Sequence, residues 1–373
     1  MNKDINIKDL LKIKSELLCY GIKRNSISND IYDMEHKTKV QRTSNMGLQF
    51  MLSEDIIVSV PYNKKDNSMS KYYLCKKEDR LLLTNDLITI EVSPFPLKSP
   101  FWYDYTLKNG KFFSDYIQKE GKDVLICSVS SSCCYFSKNE QCAFCALNGG
   151  TTTKENDRVN SIIEALKIIL IEDDSIKSIN LTGGNLYTSD RGAKQYENIL
   201  KEVRKVSNVP IVIEISPPED LAIISDLYFL GATAIEMNVE IWDDKIRKNL
   251  MPGKSRIKRE YYVEAWKKAV SIFGEGNVGS AIIIGLESLE SSLEGIKTMI
   301  DVGCLPSIIP FKPTPGSVLE KQKRCNAQDV YEATEYAAKF LVTKNLSPLH
   351  GPGCIGCGAC TLESDFFRMQ KKG

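Results

Sequence analysis

The chain has only two histidines, His36 and His350, among 373 residues. Neither lies near a second plausible ligand in sequence, so a zinc or non-haem iron site built on imidazoles has no material. A Ser-His-Asp hydrolase is short of parts for the same reason, and His350 precedes Gly351-Pro352-Gly353, the setting of a loop residue. No run of 18 apolar residues occurs, so no membrane span is expected. The opening MNKDINIKDLLKIK is polar and charged, unlike a secretory leader, and a cytoplasmic location is expected. Net charge is +1, without the basic surplus that nucleic acid demands or the acidic block of a disordered tail. Hydrophobic residues make up 42% and charged residues 26%, an ordinary globular composition.

What the chain does have is cysteine, twelve in all. Without a secretory leader these read as reduced thiols, some of them metal ligands, rather than a disulfide framework. Cys19 and Cys75 are isolated and read as small buried hydrophobes. Cys133, Cys134, Cys142 and Cys145 cluster just past the apolar run KDVLICSV (122–129). The tail carries Cys354, Cys357 and Cys360, spaced C-x2-C-x2-C with glycine between. Soft thiolates at such spacings suit zinc or iron–sulfur. One local C-x2-C pair is fewer than the two that a closed zinc site usually takes.

Residues 1–118 read as a small α+β domain: an amphipathic opening helix (Ile7, Leu10, Leu11, Ile13, Leu17, Leu18), then β-like runs at 55–62, 72–77 and 87–96, closed by Pro94, Pro96 and Pro100. From about 120 the pattern alternates. Strands are predicted at 123–129, 177–182, 210–215, 233–239, 278–285 and 306–311. Helices are predicted at 160–173, 195–205, 219–231, 259–274 and 292–303, with Gly231, Gly274 and Gly303 at helix ends. Repeated βα units imply a parallel sheet with helices outside. Six such units are too few for a closed eight-stranded barrel, so a partial (β/α)6 TIM-type barrel is expected over 119–345, with a Cys-rich tail at 346–373. Active sites of such folds gather at the C-terminal ends of the strands.

The first strand end carries the Cys133–Cys145 loop, with Phe144 before its last cysteine. A three-Cys loop there resembles the radical SAM superfamily. The usual C-x3-C-x2-C is expanded here, with seven residues between Cys134 and Cys142 or eight between Cys133 and Cys142. LICSVSSSC (125–133) resembles the strand leading into the first cluster ligand of biotin synthase, which favours Cys133 over Cys134 without excluding the latter. Gly183-Gly184-Asn185 resembles the turn that receives the methionine amino group of S-adenosylmethionine (SAM). Glu236, Asn238 and Glu240 alternate along the fourth strand. Asn238 and Glu240 match a ribose-binding pattern in biotin and lipoyl synthases. Gly285 and Glu287 resemble the adenine-contacting turn, and Lys254 and Arg256 are candidates for the SAM carboxylate.

The resemblance implies a [4Fe-4S] cluster on three of the loop cysteines, SAM on its free iron, and a radical that abstracts hydrogen from a small-molecule substrate. A low-potential donor such as ferredoxin or flavodoxin would supply the electron; neither nucleic acid nor membrane is an expected partner. The tail implies a second [4Fe-4S] cluster, its fourth position taken by Cys304, Cys325, Cys127, the spare of Cys133 and Cys134, or substrate. Such a cluster fits an oxidation or rearrangement, or alternatively sulfur insertion as in lipoyl and biotin synthases. A rival of another class is a non-catalytic barrel stapled by zinc on Cys142, Cys145, Cys354 and Cys357.

Overall fold

The computed structural model describes residues 5–35, 47–62, 70–94, 100–121, 123–130, 132–147 and 155–372. His36 and Pro96 lie outside them, as does the side chain of Cys354. The chain opens with helices α1 (Ile7–Tyr20) and α2 (Ser26–Glu35). Strands β1 (Gly47–Ser53), β2 (Ile56–Pro61), β3 (Tyr73–Lys77), β4 (Arg80–Thr84) and β5 (Thr89–Pro94) follow, forming an antiparallel sheet in the order β2-β1-β5-β4-β3.

The second sheet holds seven strands in simple sequence order from β6 to β12. Strand β6 (Ile117–Glu120) is an antiparallel edge on β7 (Val124–Ser128). Helix α3 (Glu155–Glu172) leads to β8 (Ser178–Thr182), then α4 (Glu197–Val203) to β9 (Ile211–Glu214). Helix α5 (Ala222–Phe229) leads to β10 (Ala234–Glu236), and α6 (Asp244–Leu250) and α7 (Arg259–Phe273) lead to β11 (Val278–Ile284). Helix α8 (Leu289–Asp301) leads to β12 (Leu305–Pro310). Strands β7 through β12 are all parallel. The result is the expected partial barrel, and the predicted strands and helices of this region fall on observed ones.

These strands are apolar because a parallel sheet covered by helices buries both faces. The outward rows, such as Ile179, Leu181, Ile211, Ile213, Ile235 and Ile282, are fully buried beneath the helices. The inward rows are more polar, and that contrast marks the barrel interior as a site.

Three elements follow the barrel: α9 (Ala327–Thr343), α10 (Gly353–Cys357) and α11 (Glu363–Lys372). One continuous core joins them to α1 and to both sheets. The tail closes the barrel from the end where its strands begin. Pro352 and Ile355 pack on Gly279 at the start of β11, and Gly351 packs on Leu305 at the start of β12. The Ala359 carbonyl accepts from the Ser59 amide of β2 at 2.8 Å, so the tail also adds to the edge of the N-terminal sheet.

Glu363 is buried here, accepting from the Ile308 amide at 2.5 Å, with its other oxygen unpartnered. Burial pushes its carboxyl from 4.5 up to about 7. Between those values the folded chain holds a proton that the unfolded chain releases, so stability falls as pH rises from about 4.5 to about 7 and then levels. The gap is worth about 3 kcal/mol. Amide exchange over 353–372 is expected to slow at about pH 5 relative to about pH 8 after correction for intrinsic rates. Glu363→Gln should flatten that dependence; an unchanged slope would remove Glu363 as its source.

Candidate active site

A cavity of about 330 Å³ opens at the C-terminal ends of the barrel strands. Cys133, Cys142, Phe144 and Cys145 line one side of it, and Gly183, Gly184 and Asn185 the next. Asn238, Glu240 and Lys254 line the far wall, while Glu214, Ser216 and Lys312 complete it. Cys360 reaches the same cavity from the tail.

The cysteine loop is held by backbone. The Cys134 amide donates to the Asn185 carbonyl at 2.8 Å, and Ala143 donates to Leu250 at 2.7 Å. Leu319 donates back to Ala143 at 3.0 Å, and Gly253 to Glu140 at 3.0 Å. The tight turn of the C-x2-C pair appears as a bond from the Cys145 amide to the Cys142 carbonyl at 3.0 Å. Gly184 is needed for close approach: a Cβ there would stand 2.0 Å from the Ser132 carbonyl oxygen and 2.7 Å from Cys133 Cα. Gly253 likewise faces the Tyr135 ring, where a Cβ would come to 2.3 Å.

The thiols of this loop share one electrostatic environment. Burial, reinforced by Glu240, raises Cys142 well above its ordinary value. Burial likewise pushes Cys145 up to about 11, with Glu240 and Cys133 adding to it. Such thiols ionise only when a positive centre compensates them, which is what a metal cluster supplies. Among the described residues no three Cys, His or carboxylate groups already stand at metal-binding distance. Three thiols facing one cavity, resistant to ionising alone, fit a cluster that draws its ligands in as it binds.

The far wall is irregular. Strand β10 ends at Glu236, and the chain continues through Glu240, which sits at φ 67°. A non-glycine residue in that region is strained by about 1–3 kcal/mol and persists only where its surroundings hold it. Here the Glu240 amide donates to Ala281 at 2.8 Å and its carbonyl accepts from Ile283 at 2.8 Å. The fully buried Arg247 donates to the carbonyls of Val239 and Ile241 on either side, at 3.2 and 3.1 Å. Lys254 Nζ lies 2.9 Å from the Glu240 carboxylate. Burial works against the Lys254 charge, but Glu240, with Tyr262 and Cys142, outweighs it and holds the ammonium above its usual range. Asn238 turns its side-chain oxygen to the Ala281 amide at 2.8 Å.

Three residues stand elsewhere than the sequence suggests. Arg256 is on the surface, paired with Glu140, and does not line the cavity. Gly285, at φ 98°, makes room for Cys325, whose Cβ would lie 2.4 Å from an added methyl, rather than for a ligand in the cavity. Glu287 points to the chain after β10, accepting from the amides of Trp242 at 2.9 Å and Asp243 at 2.6 Å, so it braces the loop. Of Cys133 and Cys134, only Cys133 lines the cavity. Cys134 begins a short 3-10 turn, and burial followed by Cys133 pushes its thiol up to about 11.

In the tail, burial and the neighbouring Cys360 push Cys357 up to about 12, and Cys357 Sγ packs on Gly121. Cys325 is engaged with Cys19, their sulfurs 3.4 Å apart. Glu214 and Lys312 escaped the sequence reading. The signal for Glu214 was available: an acidic residue inside the apolar run IVIEI (211–215).

Residues 133–300 match the model of the Radical SAM superfamily, and the chain carries a radical SAM domain. That match supports the radical SAM reading over the non-catalytic zinc one. The family brings one [4Fe-4S] cluster and SAM. The chain is 24% identical over 306 residues to bacteriochlorophyllide c C-7(1)-hydroxylase of Chlorobaculum limnaeum, covering 73% of this chain and 76% of that one. It is also 24% identical over 306 residues to an uncharacterized protein of Methanocaldococcus jannaschii, covering 80% and 76%. Among solved structures, methylornithine synthase matches with a TM-score of 0.48 at 18% identity, over 65% of this chain and 71% of that one. Among the described residues no helix is long and apolar enough to cross a membrane.

Proposed function

We propose that Cys133, Cys142 and Cys145 hold the radical SAM cluster and that the cavity they line binds SAM together with a small-molecule substrate. When bound, cluster and SAM supply an electron and a sulfonium, whose cleavage gives methionine and a 5′-deoxyadenosyl radical that takes hydrogen from the substrate. The observation that carries this reading is that the three thiols, the Gly183–Asn185 turn and the Asn238–Glu240 wall line one cavity inside the radical SAM domain. Asn185 and the two glycines present backbone and an amide to the methionine end. Asn238, its oxygen held by the Ala281 amide, presents its side-chain N–H and Glu240 a carboxylate to the ribose, and Lys254, held beside Glu240, places a cation for the SAM carboxylate. Arg256 is left out of this assignment because Glu140 occupies it on the surface.

The second cluster is proposed for Cys354, Cys357 and Cys360, with Cys360 at the cavity wall favouring a role in substrate oxidation or rearrangement over sulfur insertion. A ferredoxin or flavodoxin is the proposed electron donor. The test is anaerobic reconstitution, dithionite reduction and chromatography of the nucleoside products. The expected result is about eight irons per chain from two four-iron cubes and formation of 5′-deoxyadenosine. Cys357→Ala combined with Cys360→Ala should lower iron to about four per chain while 5′-deoxyadenosine still forms. Full iron in that variant would remove the second cluster, and no 5′-deoxyadenosine from the iron-loaded wild type would remove the first assignment.

A further inference from the structure

Two cysteines outside the cavity meet although they stand 306 positions apart. Cys19 lies near the end of α1, and Cys325 in the segment that precedes α9. Their sulfurs are 3.4 Å apart, and the residues are 0% and 4% exposed. Hydrogen bonds on either side fix this register. Ser15 donates its hydroxyl to the Ala327 carbonyl at 2.6 Å, and the Tyr20 hydroxyl accepts from the Ala327 amide at 3.0 Å. Arg324 donates to the Cys19 carbonyl at 3.2 Å. Gly285, directly after β11, leaves the room that Cys325 fills.

A cysteine kept only as a small apolar filler needs neither a second thiol nor a cation beside it. This pair has both: the half-buried Lys312 and Arg324 act on it from nearby. The Cys19 thiol, and after it Lys312, hold Cys325 below its ordinary value against burial, while contact with Cys325 and burial raise Cys19. Thiolate character at one sulfur and a retained proton at the other are the division between an attacking and a resolving cysteine. Cys304 is a contrast: it is fully buried, and burial followed by Glu236 raises it. Lys323 and Asn326, flanking Arg324 and Cys325, are exposed, so a small oxidant has a short path to Cys325. A disulfide needs its sulfurs at about 2.05 Å, so these must close by about 1.4 Å, which side-chain rotation supplies.

We propose that Cys19 and Cys325 are a dithiol that hydrogen peroxide oxidises to a reversible disulfide, stapling the opening helix to the barrel. The Cys325 sulfur attacks one peroxide oxygen, the O–O bond breaks, and hydroxide leaves to become water. Cys325 is then a sulfenic acid. The Cys19 sulfur attacks the Cys325 sulfur, the S–O bond breaks, and a second water leaves with the Cys19 proton. Two thiols and one peroxide thus give one disulfide and two waters, the thiols losing the two electrons that the peroxide gains. A small dithiol reverses the step by exchange. Helix α1 also carries Lys14, which donates to the Gly358 carbonyl at 2.6 Å, so a bond at Cys19 fixes to the barrel the helix that holds the tail motif. The pair lies outside the cavity, so the proposal holds whatever the cavity binds.

The test treats the reconstituted holoenzyme with stoichiometric hydrogen peroxide and quenches with catalase. Free thiols are then blocked with N-ethylmaleimide in denaturant, and peptides are mapped by mass spectrometry without reduction. A peptide pair joined through Cys19 and Cys325 is expected to carry most of both residues, while Cys127 and Cys304 are blocked as free thiols. Dithiothreitol should return both cysteines. Amide exchange over α1 is expected to slow by about tenfold on oxidation, within the stabilisation that a disulfide confers. Cys325→Ser should keep wild-type iron and lose both the linked peptide and the change in exchange. Treated alongside, it separates the staple from any effect of peroxide on the clusters. If that variant does not fold, the wild-type map decides alone. Cys19 and Cys325 blocked as fully as Cys127 and Cys304, either of them bridged to a different cysteine, or iron lowered in a folded Cys325→Ser overturns the pair.

Discussion

Cys133→Ala is expected to bring 5′-deoxyadenosine formation to background and to remove about four irons per chain, while Cys134→Ala stays within about twofold of wild type, the scale of half a kcal/mol. The two residues are chemically identical neighbours, and only their surroundings separate them. Cys133 faces the cavity with Cys142 and Cys145, whereas Cys134 turns into the short helix at 134–138. A cluster with only two remaining protein thiolates loses both its geometry and its charge balance. Gly184→Ala should behave like a milder Cys133→Ala. Its new methyl would meet the Ser132 carbonyl at 2.0 Å and Cys133 Cα at 2.7 Å. Both are backbone atoms that cannot rotate away, so the cysteine itself must shift. Iron analysis and nucleoside chromatography on the three variants check the set. Activity lost in Cys134→Ala and kept in Cys133→Ala would exchange the two assignments.

Much of the barrel was legible because a parallel sheet covered on both faces writes itself as short apolar runs, of which 211–213 and 281–284 are clear cases. The cysteine motif was legible because the turn that brings Cys142 and Cys145 together is local. What escaped depends on distant parts of the chain. Lys254 and Arg256 stand two positions apart in one loop, yet one is buried beside Glu240 and the other exposed beside Glu140. Spacing alone does not distinguish them. Glu287 follows the turn that resembles an adenine contact, but its carboxylate is consumed by amides after β10. In the N-terminal region β1 and β4 were missed, since β4 is a five-residue strand directly after a turn. Helix α9 has buried positions Val330, Ala333, Ala337 and Leu341 at helical spacing, a stripe that was there to be read. The position of the tail was not legible at all. It is set by contacts such as Lys14 to Asp365, 351 residues apart.

That contact carries the second large prediction. Lys14, on α1, is fully buried and reaches Asp365 at 2.5 Å and the Gly358 carbonyl at 2.6 Å. Gly358 lies between Cys357 and Cys360, so one ammonium ties the opening helix to the tail motif. A buried pair adds little relative to a well-packed apolar replacement, but removing one partner strands the other. Lys14→Met leaves Asp365 buried with only the partly exposed Arg368 at 3.0 Å, and is expected to cost about 3–5 kcal/mol. Asp365, whose carboxyl burial already pushes up, would take up a proton rather than stay charged. The loss should concentrate in the tail: faster amide exchange over 353–372 and iron lowered by one cluster, with 5′-deoxyadenosine still produced. Combining Lys14→Met with Asp365→Leu should recover part of the loss, because the double variant removes the charge that the single one abandons. If the single variant keeps both its iron and its tail protection, the ion pair does not hold the tail. The apolar contacts of Phe366 and Phe367 must then dock it unaided.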